Sequence, residues 1–430
     1  MGLVAGLNPF LGVAAALGVA FLLIVLADLT LGVVAFVLLS FLDVVHFRGG
    51  SLTFTKLAGL ALCVSWLATI GTQDRRAGTD FFARHPGYAA SLGLFVGWVA
   101  LSALWAEDAG PVFNAVQRYG LNMLLLPIVY TAVRRRRHVT WILAAFVIGA
   151  LVSMLYGLAV PAPPVPGDVS RLGGAIGEAN ETATVLVAAI VLSIGLVGAA
   201  RRSPLLAAGA LAGVPLALAG LVDTLSRAGI VSLGFSLVAA CVLGGRWRRY
   251  VIVLTVVAVV GGIGYFLSLP PASRDRVVSA NTTGRTDLWN VAWRAVEDHP
   301  WRGIGADNFP ISSAHYLVRP GATTRADFIV TTPKVVHNVY LEQLTSLGVV
   351  GLVLFLAIPA ASLSCCVKAA RRFQKRGDQV LELTARAVMV ALVGILAADF
   401  FASEQYSKQL WLLLALGPAL LALAENPVPE

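Results

Sequence analysis

Long apolar runs recur along almost the whole chain, and short polar turns separate them. Because a helix needs about 20 apolar residues to cross the hydrocarbon layer of a membrane, each run is a candidate span. The runs that approach this length are 9–27, 29–46, 55–72, 88–106, 118–133, 139–160, 179–199, 204–222, 228–245, 250–269, 338–367, 380–402 and 409–425. The pattern predicts an all-α polytopic membrane protein.

The first two runs are crowded into residues 9–46 around Asp28, which leaves little room for two complete crossings. We therefore expect about 12 transmembrane helices, with both chain ends in the cytoplasm. The same pattern divides the chain into three regions. These are an N-terminal transmembrane bundle with short loops (1–269), a large polar loop (270–337) and C-terminal transmembrane helices (338–430).

Composition supports this fold class, since 58% of the 430 residues are apolar and 13% are charged. Soluble domains have about 45–50% and 25%, so soluble multidomain, disordered and disulfide-rich classes are excluded. Much of the net charge of +9 lies in four basic clusters between spans, which are Arg134–Arg137, Arg201 with Arg202, Arg246 with Arg248 and Arg249, and Lys368–Arg376. Such clusters mark cytoplasmic loops. They lack the interleaved aromatic residues of a nucleic-acid surface.

The alternation of these clusters places the loop 270–337 on the outer side, where arginine is normally scarce. Its seven arginines are Arg274, Arg276, Arg285, Arg294, Arg302, Arg319 and Arg325. They either pair with the acidic residues of the loop or bind an anion. A loop of this length usually contains structure of its own or carries function.

Within this loop, residues 286–298 have the periodicity of an amphipathic helix that Thr283 or Thr286 can cap. Trp289 and Trp293 form a stripe along it. Tryptophans of this kind suit the membrane interface, where the ring is apolar and the indole N–H meets water. The helix is equally consistent with a lid that packs on the transmembrane bundle.

Other outer segments add polar residues at the mouths of apolar spans. In Arg171–Ala183, three glycines and Asn180 precede a span and form either a phosphate site at a helix N-terminus or a flexible turn. Arg227 lies where two spans meet, a costly position unless the charge has a function or reaches the headgroups. His337 and Asn338 lie where the large loop re-enters the membrane, and the histidine has either a structural or a catalytic role.

The segments predicted on the outer side lack several known catalytic motifs, and this reduces the number of possible reaction types. No HExxH, CxxC or paired acidic motif predicts a metal site, and no serine nucleophile elbow is present. Arginines, a histidine, glycines and aromatic residues fit an anionic, lipid-linked substrate. The arginines would stabilise a phosphate leaving group, and the histidine would accept a proton near neutral pH.

Four motifs resemble the O-antigen ligase family. They are the SRxG turn at Ser226–Gly229, the GRTDLW sequence at Gly284–Trp289, the stretch His299–Asn308, and the stretch His337–Gly348. This family shares its signature with O-antigen polymerases, bacterial protein O-oligosaccharyltransferases and some proteins labelled as bicarbonate transporters. The readable motifs cover about residues 165–365.

The resemblance implies a GT-C-like glycosyltransferase with about twelve spans and a large periplasmic loop, in the bacterial inner membrane. It implies a metal-independent, inverting transfer of a glycan from undecaprenyl pyrophosphate to a sugar hydroxyl of lipid A-core, in lipopolysaccharide biosynthesis. No cofactor is implied. The active site would face the periplasm.

The resemblance also assigns site residues. It places essential arginines at Arg227 and Arg285, the essential histidine at His337, and a further arginine at Arg171. We expect Asn180, Asn338 and Trp289 to contribute to substrate binding beside them.

Three activities are compatible with these features. The first is the ligase, and the second is a polymerase or protein O-oligosaccharyltransferase that uses the same donor. The third, from another class, is a small-anion transporter. A transporter would carry polar residues deep within its spans. Here the spans are nearly free of charge and the polar residues lie at the outer rim, which favours the transferases.

Overall fold

The computed structural model describes residues 19–42, 54–72, 80–161, 169–199, 203–278, 284–317 and 327–426. Over these ranges the regular secondary structure is helical, without strands. Its helices are α1 (Leu29–Leu39), α2 (Phe54–Thr72), α3 (Phe81–Arg84), α4 (Pro86–Leu101), α5 (Ala109–Met123), α6 (Leu125–Ala132), α7 (Arg136–Ala159), α8 (Ala179–Ala199), α9 (Pro204–Asp223), α10 (Arg227–Leu243), α11 (Arg248–Ser268), α12 (Pro271–Val278), α13 (Arg285–Asp298), α14 (Phe309–Ser312), α15 (Asp327–Val330), α16 (Val339–Lys375), α17 (Gln379–Ala398) and α18 (Lys408–Glu425).

Seven helices in the described ranges are long and apolar enough to cross a membrane. They are α4 with its 3₁₀ extension to Leu104, α7, α8, α9, α16, α17 and α18. Four shorter apolar helices accompany them over Leu29–Leu39, Thr55–Gly71, Arg227–Leu243 and Val259–Ser268. The predicted all-α polytopic membrane fold is confirmed, whereas the number of twelve crossings stays a prediction.

Two early segments differ from complete spanning helices. The helix α1 has 11 residues, too few to cross alone, and it begins where the Asp28 carboxylate accepts hydrogen bonds from the N–H groups of Thr30 and Leu31. The apolar run over 118–133 is divided between α5 and α6 at Leu124, which itself keeps helical dihedral angles, so a span there stays a prediction. The reason for the division is Pro127, which has no N–H to donate to the preceding turn.

The centre of the bundle is formed by α8, α17 and α18. In an 18-residue apolar stretch of each of these helices, 78%, 78% and 83% of the residues are buried, whereas the corresponding share in α4 and α9 is 28%. Helices that are apolar on all sides belong either in a core or in lipid, so the exposed apolar faces of α4 and α9 suit the lipid boundary. Small residues bring the central helices close together. A Cβ on Gly195 of α8 would lie 2.9 Å from the Ala387 Cβ of α17.

The two ends of the bundle differ in charge. At one end, Arg136 pairs with Asp378 at 2.6 Å, and Arg246 pairs with Glu382, which also accepts a hydrogen bond from Arg386 at 3.0 Å. These contacts join three of the four predicted basic clusters at the same end. The fourth, at residues 201–202, lies outside the described residues. The opposite end carries the starts of α10 and α16 and the predicted site residues.

The predicted amphipathic helix over residues 286–298 is confirmed as α13, with Asp287 in its first turn. Its buried face joins a small apolar core that is separate from the main one, formed by Leu288, Val291, Ala292, Ala295, Ile304, Phe309, Tyr316, Ile329 and Val336. The predicted threonine cap is wrong. The N-cap is Gly284, with a left-handed φ of 78°, while Thr286 lies inside the helix and residue 283 is outside the described residues.

The described residues 284–317 and 327–336 form what we call the outer segment. A glycine kink in α16 attaches this outer segment to the membrane helices. Gly348 has φ 68°, so the helix opens there and leaves carbonyl groups without helical partners. The carbonyls of Thr345 and Ser346 accept hydrogen bonds from the N–H groups of Ile304 and Gly305, at 3.0 and 2.9 Å. A Cβ at Gly348 would collide with the backbone of the outer segment, which explains the glycine.

Candidate active site

At the end of the bundle opposite the basic clusters, one amide side chain joins two segments that are distant in sequence. The Asn180 Oδ1 atom accepts hydrogen bonds from the Arg171 guanidinium at 3.0 Å and from the Ser226 hydroxyl at 2.8 Å. The Arg171 Nε also donates to the Thr224 carbonyl at 2.9 Å. The predicted residues Arg171 and Asn180 therefore lie together, directly beside the residue that precedes Arg227.

Arg227 is the first residue of α10 and is half-buried. The hydroxyl of Ser226 caps this helix by accepting a hydrogen bond from the Gly229 N–H at 3.2 Å. Leu225, two residues before the arginine, has φ 48°. Capping and a left-handed turn together fix the direction in which the chain delivers Arg227 to the rim of the bundle.

His337 lies at the corresponding entry to α16. It too has a left-handed φ, 56°, and its backbone N–H donates to the Ser403 hydroxyl at 3.1 Å. Among the described residues, the non-glycine residues with a positive φ are Leu225, Asp307 and His337. Such strained conformations persist where the surrounding structure holds them, and they cluster at functional sites.

The charge state of His337 follows from its neighbours. Burial, together with the positive charges of Arg285 and Lys334, lowers the pKa of the imidazole to about 4. The ring is therefore neutral at neutral pH and can accept a proton. Arg285, the first residue of α13, is thus one of the two cations whose charge acts on His337.

Asn338 and Trp289 hold this region together. The Asn338 side chain caps α16 by accepting a hydrogen bond from the Leu341 N–H at 3.0 Å. The Trp289 indole N–H donates to the Val336 carbonyl at 3.0 Å, and its ring lies 6.2 Å from that of Phe401. Both side chains thus position the segment around His337, and their predicted contact with substrate stays a prediction.

The loop 399–407 between α17 and α18 connects the group around Asn180 with the group around His337. The sequence pattern did not single out this loop. Its Ser403 hydroxyl accepts the His337 N–H, while its Glu404 carboxyl accepts a hydrogen bond from Thr184 of α8 at 3.4 Å. The Asp399 carbonyl accepts the Val339 N–H at 2.8 Å. The loop therefore spans from the helix of Asn180 to the start of α16.

Two acids of this loop are buried, and burial disfavours their charged forms. Asp399 is fully buried, and neither of its carboxyl oxygens has a hydrogen-bond partner among the described residues. Burial raises the pKa of Asp399 well above its usual range, and the negative charge of Glu181 raises it further. Burial, Glu181 and Asp399 raise the pKa of Glu404 in the same way. Acidic residues at the ends of apolar spans were the sequence signal that could have revealed them.

The described part of the chain contains no group of three or more histidine, cysteine, aspartate or glutamate side chains that could hold a metal ion. The side chains that converge at this end are arginines, a neutral histidine, an asparagine and buried acids. Such a set favours anion binding and proton transfer.

Comparison with known proteins matches this region to one family. A sequence model of the O-antigen ligases matches residues 212–356. This part of the chain is therefore similar to the O-antigen ligase family. The matched range contains Arg227, Arg285 and His337, and it leaves out Arg171 and Asn180. The family resemblance predicted from the sequence motifs is thereby confirmed.

One related protein is similar to part of this chain. The O-antigen ligase of Pseudomonas aeruginosa is 27% identical to this chain over 213 residues. The aligned part covers 48% of this chain and 46% of that protein, so the similarity spans less than half of either sequence.

Proposed function

We propose that this protein is an O-antigen ligase of lipopolysaccharide biosynthesis. It transfers a glycan from undecaprenyl pyrophosphate to a sugar hydroxyl of lipid A-core, at the periplasmic face of the inner membrane. The observation that carries the proposal is a neutral His337 beside Arg285, at the same end of the bundle as Arg171 and Arg227. The loop 270–337 is then periplasmic and lies between two transmembrane regions.

In this proposal the arginines bind the pyrophosphate of the donor. Their guanidinium groups match phosphate oxygens two at a time and stay charged at every physiological pH. Arg171 and Arg227 come from the rim of the bundle, where the lipid tail of a membrane-embedded donor can remain in the bilayer. They neutralise the charge that develops on the leaving pyrophosphate, so the transfer proceeds without a metal ion.

His337 accepts the proton of the acceptor hydroxyl. The hydroxyl oxygen forms a bond to the anomeric carbon from the face opposite the pyrophosphate, and the bond from that carbon to the phosphate oxygen breaks. This displacement inverts the anomeric configuration. The proton ends on the His337 imidazole and the electron pair of the broken bond on the pyrophosphate.

The two buried acids have a defined place in this mechanism. Because burial raises the pKa of both Asp399 and Glu404, it favours their neutral forms, which do not compete with the donor for the arginines. The loop can therefore contact the site through hydrogen bonds without cancelling its positive charge. An ionised pair at this position would weaken pyrophosphate binding.

The proposal is tested with purified protein, an undecaprenyl-pyrophosphate-linked glycan and lipid A-core. We expect glycan transfer by the wild type, and loss of transfer when Arg285 is replaced by lysine or alanine. Arg294→Lys is the matched control. This residue lies on the same helix, but its guanidinium donates to the Tyr316 carbonyl at 3.0 Å, away from His337.

The acceptor distinguishes the alternatives. Transfer to a second lipid-linked glycan, or to a protein, would identify a polymerase or a protein O-oligosaccharyltransferase in place of the ligase. Anion uptake into vesicles without any glycan transfer would contradict the whole proposal. In cells that lack the chain, we expect loss of the long glycan ladder on lipopolysaccharide and accumulation of undecaprenyl-linked glycan.

A further inference from the structure

A cleft lies on the outer segment, and its lining does not include Arg171, Arg227 or Arg285. Its volume is about 390 Å³, within the range of about 300–1,000 Å³ typical of small-molecule sites. The side chains that matter for its chemistry are Trp105, Glu107, Asp298, His299, Arg302 and His315. They come from the turn after α4, the end of α13 and the segment that follows α14.

The walls of the cleft are held rigidly by the motif that follows α13. Asn308 is fully buried, and its side chain both accepts the Asp108 N–H and donates to the Asp108 carbonyl, each at 2.9 Å. The Ala306 N–H donates to the Ser102 hydroxyl at 3.1 Å. These bonds tie the turn after α4 to the outer segment, so the two walls keep a fixed spacing.

Polar groups of both kinds line the cleft. The Glu107 carboxylate accepts hydrogen bonds from Ser312 at 2.6 Å and from the His315 imidazole at 3.3 Å. The hydrogen bond from Ser312 lowers the pKa of Glu107, so the group is an ionised acceptor at neutral pH. The Arg302 guanidinium lies 5.9 Å from the centre of the Trp105 ring, and the Trp105 N–H has no partner among the described residues.

This chemistry differs from that of the arginine cluster. The cleft is lined by two acidic residues, Glu107 and Asp298, and by one arginine, so it lacks the excess of guanidinium groups that a pyrophosphate site needs. An aromatic ring beside closely spaced donors and acceptors instead suits a polyhydroxylated, uncharged ring, whose apolar face packs on the indole while its hydroxyl groups form hydrogen bonds.

The position of the cleft relative to the reacting centre is set by α13. This helix begins at Arg285, whose charge acts on His337, and ends at Asp298 in the cleft. Thirteen helical steps correspond to roughly 20 Å. A sugar bound in the cleft therefore belongs to a saccharide that extends well beyond the bond being made.

We propose that this cleft is a saccharide subsite that binds sugar residues remote from the transferred bond, either in the donor glycan or in the acceptor core. The proposal rests on the proposed glycan transfer, which supplies a substrate of sufficient length. The subsite determines which glycans bind well, while the arginines and His337 carry the chemistry.

The test uses Glu107→Ala and Arg302→Ala, each of which removes one polar partner of a sugar hydroxyl. We expect the KM for a long saccharide substrate to rise about three- to tenfold, the usual effect of one lost hydrogen bond, with kcat unchanged. Varying donor and acceptor separately shows which substrate occupies the cleft. A donor with a single sugar, or an acceptor with a truncated core, should be insensitive to the same variants.

Trp293→Ala is the control, because this tryptophan is 52% exposed on α13 and does not line the cleft. Binding of free, delipidated O-glycan and of free core oligosaccharide to the purified protein gives a second readout, independent of transfer. Unchanged binding and unchanged KM for every saccharide in folded variants would overturn the subsite. Absence of transfer by the wild type would instead contradict the proposed function, while the binding measurements would still test the cleft.

Discussion

The low pKa of His337 makes a quantitative prediction for the pH dependence of transfer. With a pKa of about 4, about 90% of the imidazole is neutral at pH 5, against about 3% for a histidine with the ordinary pKa of 6.5. A reaction that needs the neutral base should therefore lose about a tenth of its kcat/KM between pH 8 and pH 5. An unperturbed histidine would cause a loss of about thirtyfold.

Substrate binding should move this pKa in the opposite direction. The pyrophosphate offsets the positive charges of Arg285 and Lys334, which favours the protonated imidazole. Because kcat reports the enzyme–substrate complex and kcat/KM reports the free enzyme, the acidic limb of kcat should lie at higher pH than that of kcat/KM. Lys334→Gln should move the limb of kcat/KM upward as well, because it removes one of the charges that lower the pKa.

The assay measures initial rates of glycan transfer in detergent at pH 5–8, with donor binding followed in parallel to separate affinity from chemistry. His337→Ala should bind donor almost normally and transfer at least ~10²-fold more slowly. A kcat/KM that halves near pH 6.5 in the wild type would refute the burial and charge argument. A rate unaffected by His337→Ala would remove the histidine from the mechanism.

Four other outcomes can be measured with the same preparation or in cells. Arg285→Lys should reduce kcat by about 10²–10³-fold, because lysine keeps the charge but loses the guanidinium fork, whereas Arg294→Lys should leave it unchanged. Transfer should persist in excess chelator, and dependence on an added divalent ion would contradict the arginine mechanism. Asp399→Asn should raise the melting temperature at pH 8 more than at pH 4. The folded-state pKa of the acid lies above its unfolded value, so its stabilising contribution is complete at low pH and is lost as pH rises. A cysteine at position 301, where the native tryptophan is 70% exposed, should react with a membrane-impermeant thiol reagent in cells with a permeabilised outer membrane, whereas one at Lys375 should not.

Hydropathy and charge predicted much of this molecule because those properties are local. The length of an apolar run gave α7, α8, α9 and α17 close to their observed bounds. The periodicity of residues 286–298 gave α13. Arg227 and His337 stood out because a polar residue at the end of an apolar span costs free energy unless it has a use.

The remaining features depend on contacts between distant parts of the chain. The local sequence does not indicate that the Asn180 side chain accepts hydrogen bonds from both Arg171 and Ser226. It also does not indicate that the Trp289 N–H donates to the Val336 carbonyl. Asp399 and Glu404 are acidic residues near span ends, yet only the fold reveals the burial that raises the pKa of each carboxyl. The division between α5 and α6 was missed because an apolar run with one proline resembles an uninterrupted span.

The attachment of the outer segment to α16 has a consequence for how glycan preference can change. Backbone groups make the joint on both sides, since the N–H groups of Ile304, Gly305 and Val349 donate to the carbonyls of Thr345, Ser346 and Pro300. Such bonds are indifferent to side-chain identity, provided that the glycines remain. The joint to α16 therefore tolerates exchange of side chains, whereas the attachment to the turn after α4 needs Asn308 and Ser102. Chimeras that replace the outer segment between relatives, with both glycine-containing edges and this attachment retained, should keep the register of Arg285 while acquiring a different surface for sugars.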